Sequence, residues 1–340
     1  MAQPWRAQDQ RQDPAVQKIR YHHAHDFETE VKGNGDDDDA ASGASDFHSE
    51  MPWHIGGLPT VNLTIKAGSK EWQVPDTLFG VFFEEINHAG TGGMDAELVQ
   101  NRGFEAGGHR MPTTIDPWYP VGQFEDIAVQ TDLSSCFKEN PVAVKIDVLC
   151  GRASSSGEGI LCPYGVGISN PGFWGMNVVE GNIYKAVLWV RASGSLVMTL
   201  SLTSFDGSVN YGYTNFSIGE ESASSWHKYE VELEALGSDP NGRLAVTTQH
   251  KRTFWLDQVS LKPSETFKGH GLRKELAEMV AALKPGFIRF PGGCYVEGNR
   301  LANAFRWKSS VGPWEERPGH YNGVWGYWSD DGLGLYEYLQ

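Results

Sequence analysis

The middle of the chain alternates apolar and polar residues with the two-residue period of β-strands. Lys228–Leu233 reads Lys-Tyr-Glu-Val-Glu-Leu, so an extended backbone would place its apolar side chains on one face and its charged ones on the other. Between residues 103 and 262, Gly, Ser, Asn and Pro clusters separate such segments, and no helical period intervenes. This arrangement predicts an antiparallel β-sandwich. The predicted strands are Val142–Leu149, Ile183–Ala192, Leu196–Thr203, Lys228–Leu233, Arg243–Thr248 and Phe254–Leu261.

A different order of elements flanks this all-β segment. The apolar run Leu78–Glu85 predicts a strand that ends in two carboxylates, and Phe287–Phe290 predicts a second strand, ended by Pro291 and two glycines. Leu272–Leu283 predicts an amphipathic helix between them. Its apolar stripe consists of Leu272, Leu276, Met279, Val280 and Leu283. Strand, helix and strand form the opening of a β/α repeat, and the sandwich would be inserted after the first strand.

Three weaker elements complete the prediction. Residues 1–55 are rich in His, Asp, Gln and Ser and have few apolar residues, so we expect a disordered leader. The leader lacks the apolar core of a signal peptide, and an upstream extension of the gene model is one explanation for it. The remaining predicted elements are a hairpin of Leu58–Ile65 and Glu71–Val74, a short helix at Ala96–Arg102 and a last helix that begins near Asp331.

Composition excludes several classes of function. The chain of 340 residues carries 28 Lys and Arg against 43 Asp and Glu, a net charge of −15, which argues against a nucleic-acid partner. It has no run of 18 apolar residues, so the sequence predicts no membrane span. None of the four cysteines forms a Cys-x-x-Cys pair, which disfavours zinc. Cys150 and Cys162 flank a Gly/Ser-rich loop, and whether they pair depends on secretion, which the sequence leaves open.

The chain from Phe305 to Gln340 is unusually aromatic and also charged. It contains nine aromatic residues, four of which are tryptophans: Trp307, Trp314, Trp325 and Trp328. The charged residues among them are Glu315, Glu316, Arg317, His320, Asp330 and Asp331. Flat rings beside carboxylates suit a sugar, which offers apolar C–H faces and a rim of hydroxyls. The alternative is an aromatic core segment under a loop, but a core would carry fewer charges between its rings.

Several longer motifs closely resemble the plant-type α-L-arabinofuranosidases of glycoside hydrolase family 51. The motifs are Gly80–Gly90 (Gly-Val-Phe-Phe-Glu-Glu-Ile-Asn-His-Ala-Gly), Leu98–Glu105, Arg289–Cys294 (Arg-Phe-Pro-Gly-Gly-Cys), Phe305–Lys308 and Gly312–His320. The resemblance runs from about residue 76 to the last residue. The inserted segment resembles a CenC-like, galactose-binding-like carbohydrate-binding sandwich, which opens with Asn101–Glu105 and closes with Phe254–Leu261.

The resemblance implies a retaining hydrolase on a (β/α)8 barrel that removes terminal arabinofuranosyl groups from arabinan, arabinoxylan or arabinogalactan. Such an enzyme uses two glutamates, one as nucleophile and one as acid and base. In the family these glutamates come from later barrel strands than the two recognised here. We therefore expect both to be absent from this chain, assign no catalytic residue, and expect the chain itself to be inactive, as a truncated product or a partial gene model.

Three positions match residues of the family that contact the substrate. The resemblance implies that Glu84 binds sugar hydroxyls, that Cys294 lines the arabinose subsite and that Trp325 lies on the leaving-group side. Each has a structural alternative: an ion pair for Glu84, a packed thiol for Cys294 and core packing for Trp325. Arg289 either orients carboxylates or forms a salt bridge inside the barrel. For Glu315, Glu316 and Asp330, loop ion pairs and caps are favoured over acid–base roles.

The resemblance also implies a structural calcium ion in the sandwich and no cofactor for catalysis. Glu105 and Asp257 match the opening glutamate and closing aspartate between which this ion sits, and oxygen ligands suit a hard cation. By family habit the protein would be secreted. The sequons at Asn62 and Asn215 would then be glycosylation sites. Whether the sandwich itself binds sugar stays open, because Trp174, Trp189 and Trp255 fit a core equally well.

The sequence thus predicts an α+β multidomain chain in four parts. These are a disordered leader (1–55), N-terminal strands that include the first barrel strand (56–102), a CenC-like carbohydrate-binding β-sandwich (103–262), and the truncated start of a (β/α)8 TIM barrel with its second strand and aromatic loop (263–340). The expected partners are arabinose-containing polysaccharides. The alternative function is that of a non-catalytic carbohydrate-binding module, and a third is that of an unstable fragment with exposed strand edges.

Overall fold

The structure is a computed structural model that describes residues 73–107, 113–150 and 161–340. The predicted leader, Asn62 and nearly all of the predicted hairpin at residues 58–74 lie outside these ranges. Among the residues that the structure describes, no helix is both long and apolar enough to cross a membrane.

Most of the regular structure in these ranges is β-sheet. The strands are β1 Val81–Phe82, β2 Tyr119–Val121, β3 Ile127–Asp132, β4 Ala143–Val148, β5 Leu161–Asn170, β6 Met176–Val178, β7 Ile183–Ala192, β8 Leu196–Thr203, β9 Asn210–Ile218, β10 His227–Glu234, β11 Asp239–His250, β12 Thr253–Pro263, β13 Ile288–Arg289, β14 His320–Asn322 and β15 Tyr327–Ser329. The α-helices are α1 Lys274–Ala282, α2 Cys294–Glu297 and α3 Leu335–Tyr338. Short 3₁₀ turns cover Phe124–Asp126, Phe267–Gly269, Leu301–Asn303, Trp307–Ser310 and Trp314–Glu316.

Residues 119–263 form two antiparallel sheets that share one hydrophobic core. One sheet has the order β10-β7-β12-β4-β3, and the other has the order β2-β5-β11-β8-β9 with β6 beside β11. Along β7, every second side chain from Tyr184 to Ala192 is buried, and these side chains pack in the same cluster as Leu200 and Val246 of the other sheet. Burying one such aliphatic side chain contributes about 1.5–3 kcal/mol, so the alternation read in the sequence selects the register.

The six strands predicted for this region are present, and β7 and β8 have the predicted bounds. The strands that the sequence did not indicate are β2, β3, β5, β6 and β9. β5 was missed because Pro163, Gly165 and Gly167 interrupt its apolar period. The backbone of β11 requires Gly167, since a Cβ atom there would lie 2.0 Å from the carbonyl oxygen of Val246.

A separate parallel pair joins the two strands predicted on either side of the sheets. β1 and β13 pair with Val81 opposite Ile288 and Phe82 opposite Arg289. The hydrogen bonds continue beyond the assigned strands, because Phe83 N–H donates to the Arg289 carbonyl and Glu85 N–H to the Pro291 carbonyl. With α1 before β13 in the chain, this order is that of a β/α unit.

Two predicted helices differ from the structure. The prediction of a helix at Ala96–Arg102 is wrong, because the segment is extended beside β12: Leu98 N–H donates to the Leu261 carbonyl, and Leu261 N–H donates to the Glu97 carboxylate at 2.9 Å. The last helix begins at Leu335 rather than near Asp331. Asp331 has a φ of 52°, outside the right-handed helical region, and its carbonyl accepts a hydrogen bond from Arg317.

The amphipathic helix is present as α1, and Leu272, Leu276 and Val280 of its apolar stripe are half-buried. Ala277 is its buried residue, whereas Met279 and Leu283 are 68% and 71% exposed. Cys150 and Cys162 form a disulfide bond, so the structure pairs the two cysteines whose pairing the sequence left open.

Candidate functional site

The parallel pairing of β1 and β13 brings Glu84 and Cys294 to the same edge, because both follow the C-terminal ends of paired parallel strands. We call this the strand-end edge. Glu84 Oε1 accepts hydrogen bonds from the backbone N–H groups of Gly293 at 3.3 Å and Tyr295 at 3.0 Å, which flank Cys294. The free thiol of Cys294 is exposed at the start of α2. The ion pair considered for Glu84 is not among the contacts that the described residues make.

Gly292 allows this close approach. It has a φ of 147°, and a Cβ atom there would lie 2.6 Å from Glu84 Cγ. The Pro-Gly-Gly motif therefore has a local physical reason, since the backbone must pass beside the Glu84 side chain without a Cβ atom in between.

Trp325 lies in the β14–β15 hairpin and is 38% exposed, so it is not a core residue. Its N–H donates to Asn322 Oδ1 at 3.0 Å. Tyr327 ties the same hairpin to the residue after Glu84, because its hydroxyl donates to Glu85 Oε1 at 2.9 Å. Arg289 lies over the ring of Phe82 at 4.7 Å, on the outside of the strand pair.

A cavity of about 540 Å³ lies between the two-sheet region and the aromatic tail. We call it the Arg102 cavity. Its lining includes Glu85, His88, Arg102, Glu105, Asn140, Phe173, Gln258, Trp314, Tyr327, Trp328 and Asp330. Glu84, Cys294 and Trp325 are not among the described residues that line it, so the sequence-predicted substrate contacts and the cavity are separate.

Arg102 is the fully buried cation of this cavity, with 2% exposure. Its Nε lies 2.8 Å from Asp330 Oδ2, its Nη1 lies 3.6 Å from Glu97 Oε2, and the Trp314 ring covers the guanidinium at 4.1 Å. Burial lowers the pKa of Arg102, but the charges of Asp330 and Glu97 outweigh burial and raise the pKa above its usual value. The side chain therefore stays charged. None of its three nitrogen atoms makes a well-directed hydrogen bond to a described residue, so the contacts with Asp330 and Glu97 are ion pairs.

Asp330 and Glu315 are found in ion pairs, as favoured from the sequence. Burial raises the pKa of Asp330, but Arg102 and a 2.8 Å hydrogen bond from Thr91 outweigh it and hold the pKa below the usual value. Glu315 Oε1 lies 3.4 Å from Lys228 Nζ. Neither carboxylate is free for acid–base chemistry.

Glu85 is the titratable residue that the sequence analysis missed. It is 7% exposed, and burial raises its pKa to about 7, with the charges of Asp330 and Asp331 adding to the shift against the Tyr327 hydrogen bond. The available signal was the doubled glutamate after β1, because successive side chains of a strand point to opposite faces. Glu84 therefore faces α2 while Glu85 faces the cavity.

Glu105 and Asp257 are both buried, and Glu105 lines the Arg102 cavity together with Gln258, the residue after Asp257. Burial raises the pKa of Glu105 to about 8, and burial followed by the charge of Glu105 raises the pKa of Asp257 well above its usual value. β12 has a register shift between Asp257 and Ser260, and all four residues of this stretch are buried. Ser135 Oγ and the Gln258 N–H donate to Asp257.

Two buried carboxylates, of which Glu105 raises the pKa of Asp257, fit a cation in charge and donor type. Among residues 73–107, 113–150 and 161–340, however, no group of three or more His, Cys, Asp or Glu side chains is arranged to hold a metal ion. A cation bridging Glu105 and Asp257 would therefore complete its shell with backbone, amide or water oxygens.

The remaining predicted positions lie on the outside of the sheets. Asn215 is exposed on β9, where its Oδ1 accepts a hydrogen bond from Thr199 Oγ1 at 2.7 Å. Trp174 is 64% exposed, and Trp189 and Trp255 are half-buried outside the hydrophobic core. All three tryptophans therefore lie outside the hydrophobic core, whereas core packing was the alternative to sugar binding.

Comparison with known proteins places these features in a family. Residues 279–340 match the model of the alpha-L-arabinofuranosidase 1 domain. Alpha-L-arabinofuranosidase 1 of Arabidopsis thaliana is 53% identical over 284 residues, which cover 83% of this chain and 41% of the relative. The extracellular exo-alpha-L-arabinofuranosidase of Streptomyces chartreusis is 34% identical, with 84% of this chain and 34% of the relative covered.

A solved structure gives the same result. The arabinose-bound MgGH51 α-L-arabinofuranosidase aligns with 78% of this chain and 42% of its own, at 33% identity and a TM-score of 0.67. The chain spans about two fifths of the length of the Arabidopsis relatives that it matches. From these matches and the motifs at the strand-end edge, the chain contains a plant-type α-L-arabinofuranosidase region of glycoside hydrolase family 51.

Proposed function

We propose that this chain is part of a retaining α-L-arabinofuranosidase that removes terminal arabinofuranosyl groups from arabinan, arabinoxylan or arabinogalactan. The observation that carries the proposal is the parallel β1–β13 pair, which sets the Glu84 carboxylate against the backbone on both sides of Cys294. At the C-terminal ends of parallel strands, a carboxylate and a thiol can contact a sugar ring. Glu84, Cys294 and Trp325 are the proposed substrate contacts.

No residue of the chain is assigned a catalytic role in this proposal. Glu84 accepts two backbone hydrogen bonds, and Asp330 and Glu315 are held in ion pairs, so none of them is the second carboxylate of a retaining pair. The nucleophile and the acid–base glutamate would belong to the part of the whole enzyme that the relatives have beyond the matched region.

A chimera tests this division. We would replace the matching 41% of the Arabidopsis relative by this chain and assay p-nitrophenyl α-L-arabinofuranoside. The chimera is expected to hydrolyse it, and Glu84→Gln is expected to lower kcat/KM by about 100-fold, on the order of 2.7 kcal/mol of transition-state stabilisation. The 340-residue chain alone is expected to release no p-nitrophenol. Release by the chain alone would refute the assignment of catalysis to other residues, and full activity of the Glu84→Gln chimera would refute the role of Glu84.

The proposed organisation follows the same division. The two sheets at 119–263 support a CenC-like carbohydrate-binding sandwich inserted at 103–262, and the β1–α1–β13 order supports the start of a (β/α)8 barrel in 56–102 and 263–340. The leader at 1–55 stays a prediction, as does glycosylation at Asn62 and Asn215. Secretion is supported by the Cys150–Cys162 disulfide and by the Streptomyces relative, which is named extracellular.

The alternative function, a non-catalytic carbohydrate-binding module, has its own supporting observation. Trp255 and Trp189 lie on the outer side of the five-stranded sheet, and the Arg191 guanidinium stacks over Trp255 at 4.2 Å. Aromatic rings on an open sheet face are suited to stacking on sugar rings. Affinity electrophoresis of the chain in arabinoxylan gels tests this function, and equal migration of wild type and Trp255→Ala would exclude this face.

A further inference from the structure

The Arg102 cavity is separate from the strand-end edge, since alternation along β1 directs Glu84 and Glu85 to different sides. Tyr327 and Trp328 bound it on the tail side, and Gln258 bounds it on the sheet side. Its volume of about 540 Å³ lies within the roughly 300–1,000 Å³ that small-molecule sites occupy. The cavity is therefore large enough for a small-molecule ligand. The proposed substrate contacts Glu84, Cys294 and Trp325 do not line it.

The walls combine aromatic faces with many hydrogen-bonding groups. The aromatic side chains that line the cavity are Phe173, Trp314, Tyr327 and Trp328, and the uncharged polar ones include Gln100, Asn101, Thr113, Thr114, Asn140 and Gln258. Several of these polar groups already pair within the protein, as Asn101 and Asn140 do with backbone carbonyls, so Arg102 is the group whose pairing a ligand would change. A ligand with both C–H faces and hydroxyls matches both kinds of wall.

Arg102 supplies the observation that points to a bound molecule. Arg102 is fully buried and lines the cavity, and none of its three guanidinium nitrogen atoms makes a well-directed hydrogen bond to a described residue, although Nε and Nη1 lie in ion pairs with Asp330 and Glu97. Buried donors of a charged group are rarely left without an acceptor. A neutral oxygen acceptor in the cavity, such as a hydroxyl or ring oxygen, would satisfy them.

The charged residues around the cavity indicate which kind of acceptor would bind Arg102. Arg102 already faces the carboxylates of Asp330 and Glu97, and Glu85, Glu105, Asp116 and Asp330 all line the cavity. The other basic lining residue, Arg317, is committed to Glu337 at 2.7 Å. A carboxylate ligand would therefore meet no arginine without a carboxylate partner among the described lining residues, and a bare metal ion would leave most of the volume and the aromatic walls without contacts.

We propose that the Arg102 cavity is a second saccharide-binding site, which takes a short neutral oligosaccharide and rejects uronic acids. The choice of arabinose as the sugar unit rests on the proposed function, whereas the site itself does not. It lies between the two-sheet region and the hairpin that carries Trp325. A sugar bound there would hold these two parts of the chain against each other.

Isothermal titration of the 340-residue chain with α-1,5-arabinotriose tests this site in the double variant Glu84→Gln/Trp325→Ala, which removes the proposed strand-end contacts. We expect the double variant to retain binding. Adding Trp328→Ala should weaken it at least 10-fold, because Trp328 lines the cavity while Trp325, in the same hairpin, does not. Adding Ala106→Phe, which fills the cavity without removing a polar group, should have the same effect and guards against misfolding of the tryptophan variant.

Each result bears on the proposal. Loss of all binding in the double variant would overturn it and assign the sugar to the strand-end edge alone. Unchanged binding on addition of Ala106→Phe would overturn it as well. Trigalacturonate should bind at least 10-fold more weakly than arabinotriose, and equal binding would overturn the charge argument. Because the chimera assay reports hydrolysis and this titration reports binding without Glu84 and Trp325, failure of one is distinguishable from failure of the other.

Discussion

Asp330 holds the Nε of Arg102 at 2.8 Å, and so joins the segment before the first sheet to the end of the aromatic tail. Arg102 is buried under the Trp314 ring, the Asp330 side chain is 25% exposed, and Thr91 and the Gly332 N–H donate to the Asp330 carboxylate. Removing one member of a buried ion pair is costly, because the other charge then stays desolvated without a partner. The two residues therefore fix how the tail is held beside the two-sheet region.

Breaking this pair from one side should destabilise the chain strongly. Arg102→Met leaves Asp330 and Glu97 without their buried cation, and we expect a loss of about 3–5 kcal/mol in the free energy of unfolding. Urea unfolding followed by circular dichroism measures it. The double variant Arg102→Met/Asp330→Asn should recover a large part of the loss, and a double variant as unstable as Arg102→Met alone would contradict the assignment of the loss to the unpaired charge.

The second prediction concerns the pH dependence of stability through Glu85. Burial raises its pKa from 4.5 to about 7 in the folded chain, and Asp330 and Asp331 add to this while Tyr327 opposes it. The unfolded chain loses the proton first, so the contribution of Glu85 to stability is present below about pH 4.5 and is lost as pH rises through 7. Glu85→Gln cannot ionise and should escape this loss.

We therefore expect Glu85→Gln to gain about 2–3 kcal/mol relative to the wild type between pH 5 and pH 8. Urea unfolding at half-unit pH steps gives the difference between the two proteins, which cancels the other titrating groups. A difference that stays constant with pH would show that Glu85 does not titrate in this range.

The third prediction tests calcium at Glu105 and Asp257. Burial raises the pKa of both carboxylates, and the charge of Glu105 adds to the shift of Asp257. A cation between them would compensate both buried charges, so millimolar Ca²⁺ should raise the Tm of the chain by several degrees. Scanning calorimetry with Ca²⁺, Mg²⁺ and EDTA measures the effect. In Asp257→Asn the Ca²⁺ response should disappear, and an equal response there would place any bound ion elsewhere.

The strand-end edge was predictable from the sequence because its determinants are local. An apolar run that ends at Glu84 and another that ends in Pro-Gly-Gly-Cys specify two strand ends, and parallel pairing then brings them together. The same locality gave β7 and β8 their bounds, since alternation over eight to ten residues is a strong signal.

The Arg102 cavity was not predictable, because its partners are distant in the chain. Arg102 fell at the end of a predicted helix, and its contacts with Trp314 and Asp330 come from the other end of the described structure. Glu85 meets Tyr327 across a separation of 242 residues. The helix predicted at Ala96–Arg102 was wrong for the same reason. Hydrogen bonds with β12 hold the segment extended, and helical propensity takes no account of such distant partners.

The fourth prediction concerns the Cys150–Cys162 disulfide, which closes a loop with a sequence separation of 12 residues. In the chain-entropy description, a loop of this size contributes about 2–3 kcal/mol by restricting the unfolded chain. The double variant Cys150→Ser/Cys162→Ser should lose that amount in urea unfolding. Dithiothreitol should destabilise the wild type to the same level and leave the double variant unchanged, and a wild type insensitive to reduction would contradict the contribution.

The last prediction uses two neighbouring glycines to test the geometry of the strand-end edge. Gly292 has a φ of 147°, and a Cβ atom there would meet Glu84 Cγ at 2.6 Å, whereas the closest atom to a Cβ on Gly293 is 3.8 Å away on Arg289. Gly292→Ala should therefore cost about 1–3 kcal/mol in the free energy of unfolding. It should also displace Glu84 from the N–H groups that flank Cys294 and lower kcat/KM of the chimera. Gly293→Ala, one residue away, should stay within about 0.5 kcal/mol and keep its activity. Equal effects of the two substitutions would mean that the Pro-Gly-Gly motif is required for general backbone freedom and not for the approach of Glu84.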